Sequence, residues 1–299
     1  MRANRTAAAA LGAVAAMTGA VALSAPAAMS AESAGDAPAR TDTVSGRPDL
    51  AAIGITEDDE LVSFETDFPH EVEDIGDVVL ADDDSVIGID IRVQDGLLYA
   101  VGSEGGVYTV SMDDATATKV SALTVDLEGA TFGVDFNPAA DRLRVISDTG
   151  QNLRHDLNTD TTTLDTALTY PAVPPGTPTP GVGITAAAYT NNDLDANTGT
   201  TLYDIDTTLD QVVLQSPANS GLLSATGKLT IDAGTEVGFD IYTKVKKGRA
   251  FDADGYAVIS VDGDYGVYKV RLFTGEVKKT RGFSDKNQVV DLALRLNQR

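Results

Sequence analysis

Apolar side chains along this chain alternate with other residues in runs of five to seven, set off by Gly, Asp and Asn, and the runs recur. Five of them read as variants of one phrase: VIGIDIR from Val86, TFGVDFN from Thr131, ITAAAYT from Ile184, VGFDIYT from Val237 and VVDLALR from Val289. A two-residue period is the mark of a strand with one face buried, and no segment carries a convincing helical period. The starts lie 45, 53, 53 and 52 residues apart, too long for a leucine-rich repeat and right for one four-stranded propeller blade.

The runs between the phrases fill in the blades. After VIGIDIR come LLYAVG from Leu97, GVYTVS from Gly106 and ATKVSAL ending at Leu123, joined by Asp-Gly and Gly-Gly turns of the hairpin kind. The unit from Thr131 repeats the scheme, the unit from Val237 does so through GYAVISV, GVYKVRL and EVKKTRGF, and the unit from Ile184 is compressed. At the N-terminal end LAAIGIT from Leu50, ELVSFET from Glu60 and HEVEDIGDV from His70 supply three strands without a first, while VVDLALR is a first strand without its blade. Sharing one sheet between them gives an all-β, five-bladed propeller closed by the C-terminal strand and spanning residues 49–299 as a single domain.

Ahead of it, Arg2 and Arg5 precede a small apolar run and the stretch SAPAAMSA, which reads as a signal peptide over residues 1–31 with cleavage after Ala27 or Ala31. Residues 32–48, rich in Ala, Gly, Ser and Asp, read as a solvated, disordered leader. No later segment is long enough to cross a membrane as a helix. These readings predict a secreted, extracellular protein with no membrane anchor in its mature form, and a monomer. There is no cysteine, hence no disulfide, lipid-anchor cysteine or thiolate metal site.

The formal charge of −23 repels nucleic acid and anionic lipid, so neither is expected as a partner. Asp predominates among the acids, which suits solvated turns. The charge is uneven: residues 237–299 carry 12 Lys and Arg against 8 Asp and Glu. Lys246 and Lys247, with Lys278 and Lys279, make the last blade the basic one. An anionic cell-wall polymer or an acidic protein would dock there; the alternative is that these residues only offset acidic neighbours.

Asp90, Asp135 and Asp240 occupy the same point of their phrases, and Asp291 is a fourth; the AAAY strand breaks the ring. First strands line a propeller's axis, so these carboxylates would suit calcium, which takes six to eight oxygen ligands. The alternative is that each accepts from backbone amides of the next blade. The loop DLDANTG from Asp193 resembles part of an EF-hand loop but has Thr198 where a sharp turn wants Gly. In the unit from Thr131, Arg144 and Arg154 stand where the preceding unit has Tyr99 and Tyr108, with Asp141, Gln151 and Asn152 nearby. Two arginines there would clamp a carboxylate, phosphate or sugar, or be paired internally. The proline-rich stretch PAVPPGTPTPG from Pro171 reads as a stiffened exposed loop.

The run GVDFNPAADRLRVISDTGQNLRHD, followed by AAAYTN, TTLYDID, SPANSGLLSATG and VGFDIYT, resembles the secreted bacterial family DUF4394, over essentially Asp49 to Leu296. The resemblance implies a propeller-like secreted domain with no assigned reaction. His155 sits where an asparagine or an apolar residue is expected in that family, which makes it a poor catalytic candidate.

Conventional catalysis is under-equipped. His70 and His155 are the two histidines, and there is no G-x-S-x-G elbow. What remains is a glycosidase-like hydrolase using inner-strand carboxylates, with Glu128 and Glu236 ahead of Asp135 and Asp240. The sequence therefore favours a non-enzymatic extracellular binding or scaffold module; the alternatives are that channel-centred hydrolase and a calcium-stabilised structural module of the envelope.

Overall fold

The computed structural model describes residues 49–172, 176–195 and 197–298; the signal-peptide and leader assignments lie outside the described residues. Five four-stranded antiparallel sheets form a five-bladed β-propeller. From inner to outer strand, blade two comprises Val86–Ile91, Leu98–Gly102, Gly106–Val110 and Ala117–Ala122. Blade three comprises Phe132–Asn137, Arg142–Ser147, Asn152–Asp156 and Thr161–Leu164. Blade four comprises Ile184–Tyr189, Leu202–Asp206, Gln211–Gln215 and Leu223–Lys228. Blade five comprises Val237–Lys246, Arg249–Val261, Asp264–Val270 and Val277–Gly282.

Blade one joins the two ends of the domain. Its inner strand is Val289–Leu294, which pairs antiparallel with Ala51–Thr56 in the register Ala52↔Leu294, Ile53↔Ala293 and Gly54↔Leu292; Glu60–Glu65 and Glu73–Asp77 complete the sheet. Each inner strand also lies against those of the blades before and after it, so the ring is closed and no inner edge is left open.

The recurring glycine of the inner phrase keeps this ring narrow. A Cβ on Gly133 would fall 2.5 Å from the backbone nitrogen of Ala187 in the next inner strand, and one on Gly88 would fall 2.6 Å from Val134. Between the blades the alternating apolar residues form five clusters, one at each interface. Four hold mostly large aliphatic and aromatic side chains. The three–four interface adds to its apolar cluster a polar network described below.

Two features depart from the repeat. The proline-rich connection between blades three and four contains a short pairing of Thr169–Tyr170 with Thr179–Pro180, fastened to blade four by a bridge from Thr169 to Leu222. In blade five the inner two strands outgrow their sheet: the third strand pairs only as far as Gly255↔Val270, whereas the hairpin continues to Lys246↔Arg249. The extra residues form a two-stranded ribbon beyond the blade.

Candidate functional site

Near one end of the inner strands, oxygen atoms of Asp90, Asp135 and Asp240 lie within 4.8 Å of one another, all three residues being buried. Backbone N–H groups set these carboxylates, from their own strand and the next blade for Asp90 and Asp240, and from the next blade for Asp135. Asp90 accepts from Ile91 N at 2.7 Å and from Phe136 N of blade three at 2.8 Å. Asp240 accepts from Ile241 N at 2.5 Å and from Leu294 N of blade one at 2.6 Å. Asp135 accepts from the backbone N–H of Tyr189 in blade four. Blade four has no such acid, and Asn192 takes over the role by accepting from Thr243 N of blade five at 2.9 Å.

Asp291 makes the same kind of bridge, from Ile89 N at 2.8 Å and Leu292 N at 2.9 Å, but in a different layer. It stands level with Gly88 and Gly238, two residues before Asp90 and Asp240. The structure thus brings three of the four acids together and sets Asp291 deeper along the axis.

Burial opposes the charge on these groups and the N–H bonds favour it. Burial raises Asp90 and Asp135 well above the usual carboxylate range, and the neighbouring Asp240 and Asp90, respectively, add to it. Burial also lifts Asp240 to about 6 and Asp291 to about 8.

The trio forms part of a small recess, half open to solvent, lined also by Ile91, Phe136, Tyr189, Asn191, Asn192 and Ile241. No Lys or Arg lines it. Asn191, at φ 92° and 4% exposed, points its Oδ1 at the N–H of Asp193 (2.8 Å), and its buried Nδ2 has no hydrogen-bond partner among the described residues. The blade-five ribbon continues directly from Ile241 on the rim of this recess.

The arginines of blade three lie elsewhere, at the interface with blade four. Arg144 is 2% exposed and donates to Asn152 Oδ1 (2.7 Å), Asp165 Oδ2 (2.8 Å), Asn219 Oδ1 (2.7 Å) and Tyr189 OH (3.2 Å). Arg154 holds both oxygens of the same Asp165 at 3.0 Å. Burial works to raise Asp165, but the hydrogen bonds from Arg154 and Arg144 outweigh it and hold it below the usual range. Asp141 and Gln151 do not join: Asp141 accepts from Nε and Nη2 of Arg92 at 2.7 Å, and Gln151 bonds Glu128 N and Asp126 O.

The other candidates separate in space. His155 is buried, with Nε2 2.7 Å from Ser121 Oγ and Nδ1 3.0 Å from Thr162 Oγ1, and burial lowers its pKa. Glu236 precedes its inner strand by one residue and accepts from Tyr265 OH at 2.7 Å. Four residues, about 13 Å between Cα atoms of an extended chain, separate it from Asp240, and its carboxylate is engaged by Tyr265 rather than by the axial acids. Asp193 and Asp195 belong to successive Asx turns and bond the ribbon, at Ala250 N (2.6 Å) and Arg249 Nε (3.2 Å). The lysines do not form one patch. Lys246 and Lys247 sit at the ribbon tip, while Lys278 and Lys279 pair with Lys269 and Tyr268 at the outer edge of the sheet.

Sequence reasoning missed Asn191, Asp165 and Asn219. Asp165 and Asn219 lie outside the repeating phrase, 75 residues separating Arg144 from Asn219. A usable signal for Asn191 was the Asn-Asn pair standing after the one inner strand that lacks its Asp.

No curated protein matches the chain in sequence. Among solved structures it is similar to an auxiliary nutrient binding protein from Bacteroides thetaiotaomicron, with 11% identity, 76% of this chain and 56% of that one covered, and a TM-score of 0.43. This chain thus spans just over half the length of that relative. It is also similar to a protein from Lactobacillus plantarum (12% identity, 83% and 99% covered, TM-score 0.41) and to the glutaminyl cyclase of Myxococcus xanthus (12%, 77% and 97%, 0.41). A family model matches residues 60–293, and the chain belongs to the family it describes, the domain of unknown function DUF4394.

Proposed function

We propose that this chain is a secreted, non-enzymatic binding module that receives an anionic extracellular polymer at the ribbon-flanked mouth of its propeller axis. The observation that carries the reading is the blade-five ribbon, which rises from the rim of the axial recess and ends in exposed Lys246, Lys247 and Arg249, with Phe251 62% exposed beside them. A basic, aromatic-bearing tip on an otherwise acidic protein provides local charge complementarity to polyphosphate or polyuronate chains. The inner-strand acids tie neighbouring blades together through backbone N–H groups, which supports a scaffold role over acid–base chemistry. The N-terminal signal-like sequence supports export.

Cosedimentation with cell-wall polymer tests this reading. The wild-type protein is expected to be retained and to release no reducing sugar. Replacing Lys246 and Lys247 by Ala should weaken retention severalfold, whereas replacing Lys278 and Lys279 should not. Equal retention of both variants overturns the placement of the site. Sugar release that disappears in Asp135→Asn would instead establish the hydrolase.

A further inference from the structure

We infer that Asp90, Asp135 and Asp240 form a calcium site at the mouth of the axis, completed by an oxygen ligand that Asn191 holds. Three features of the recess lead there. The first is the donor set. Three carboxylates from three blades bring oxygens within 4.8 Å of one another, and two oxygens on opposite sides of a calcium ion at 2.3–2.6 Å stand about 4.6–5.2 Å apart. An all-oxygen set with no His or Cys suits a hard cation.

The second is the state in which the fold holds these groups. Both oxygens of Asp90 and of Asp240 accept a backbone N–H. Each oxygen retains a second lone pair for a cation. No Lys or Arg lines the recess to compensate the converging charge.

The third is independent of the acids. Asn191 is 4% exposed, its Oδ1 is fixed by Asp193 N, and its Nδ2 is a buried donor with no partner among the described residues. A donor on the wall of this recess calls for an oxygen inside it. Three carboxylates leave at least half of calcium's coordination sphere open, and a ligand oxygen there, from water or from a bound hydroxyl or oxyanion, has a lone pair left to accept from Asn191. Charged in this way, the mouth presents a cation toward the polymer. That last step rests on the binding reading above; the metal site itself does not.

The test is calorimetry and thermal melting of EDTA-stripped full-length protein titrated with calcium chloride, and separately with magnesium chloride. One calcium per chain is expected, with a rise in Tm of about 5–10 °C at a hundredfold excess over Kd. Magnesium should bind at least tenfold more weakly. Asp135→Asn should lose at least tenfold in calcium affinity, Asn191→Gly, which keeps the positive φ, severalfold, and the exposed-turn variant Asp262→Asn nothing. Because Asp135→Asn removes an inter-blade bond, its fold is checked by circular dichroism, and Asn191→Gly provides the second arm. Absence of calcium binding by the wild type, equal binding of magnesium, or unchanged affinity in both site variants overturns the site. Calcium binding without polymer retention would leave the site standing and overturn the polymer reading; retention without calcium binding would do the reverse.

Discussion

Replacing Arg144 by Met should destabilise the protein far more than replacing Arg154 by Ala, although the two arginines look equivalent in the sequence. Arg144 is 2% exposed and holds Asn152, Asp165, Asn219 and the Tyr189 hydroxyl together across the three–four interface. Met fills much of the space but donates nothing, so the buried Asn152 Oδ1 is left with only Gln215 Nε2 at 3.4 Å, while the exposed Asn219 turns to water. Breaking a buried charged pair costs about 3–5 kcal/mol, and an orphaned acceptor adds roughly 1–3 kcal/mol. Relief comes from Arg154, which still holds both oxygens of Asp165. Asp204 loses as well, since Arg144 offsets the burial that raises its pKa and both of its oxygens lack hydrogen-bond partners among the described residues. The expected loss is about 4 kcal/mol, a large share of a typical stability of roughly 5–15 kcal/mol. Arg154, 30% exposed in its side chain, leaves Asp165 paired with Arg144 when removed and should cost about 1 kcal/mol or less. Urea denaturation at neutral pH measures both variants. Equal losses, or a loss below about 1 kcal/mol for Arg144→Met, would refute the reasoning.

Three further perturbations probe the ring itself. Gly133→Ala places a methyl against backbone of the next blade and should cost about 3 kcal/mol, whereas Gly199→Ala, with nothing within 4 Å of the new Cβ, should be near neutral by the same denaturation assay. Ending the chain at Asn287 removes the inner strand of blade one with buried Val289, Leu292 and Leu294. Each is worth about 1.5–3 kcal/mol, so cooperative melting should disappear; a truncated chain that melts within a few degrees of the wild type contradicts ring closure. Finally, Asp291, raised by burial to about 8 with Asp240 and Glu236 facing it, keeps a proton that the unfolded chain has released. Stability in EDTA should therefore fall as pH rises from about 6.5 to 8, by up to about 1.4 kcal/mol per unit. The slope should flatten in Asp291→Asn, and an unchanged slope in that variant would remove Asp291 as its cause.

The blade order was legible because the inner phrases recur at blade-length spacing and because the Gly-apolar-Asp phrase serves the ring twice: the glycine admits the neighbouring backbone and the acid ties it. Aligning the phrases on their acids nevertheless placed Asp291 beside Asp240, and the structure sets it level with Gly238. Register within a sheet follows from hydrogen bonding along the chain, whereas height between separate sheets is set by packing across the axis, which no spacing in the sequence encodes. The same limit hid the partners of Arg144. Its substitution for a tyrosine was visible, but Asp165 and Asn219 come from segments outside the repeat. The two lysine clusters share a blade in the sequence, yet the ribbon carries Lys246 and Lys247 beyond the sheet that holds Lys278 and Lys279.

The metal assignment rests on the mouth of the axis, rather than the exposed acidic turns, being the place where the molecule takes a cation. Anomalous diffraction from crystals grown with calcium or terbium tests this most directly. The account predicts one strong peak about 2.4 Å from an oxygen of each of Asp90, Asp135 and Asp240. Peaks confined to exposed acidic turns, with none between those three carboxylates, would contradict it.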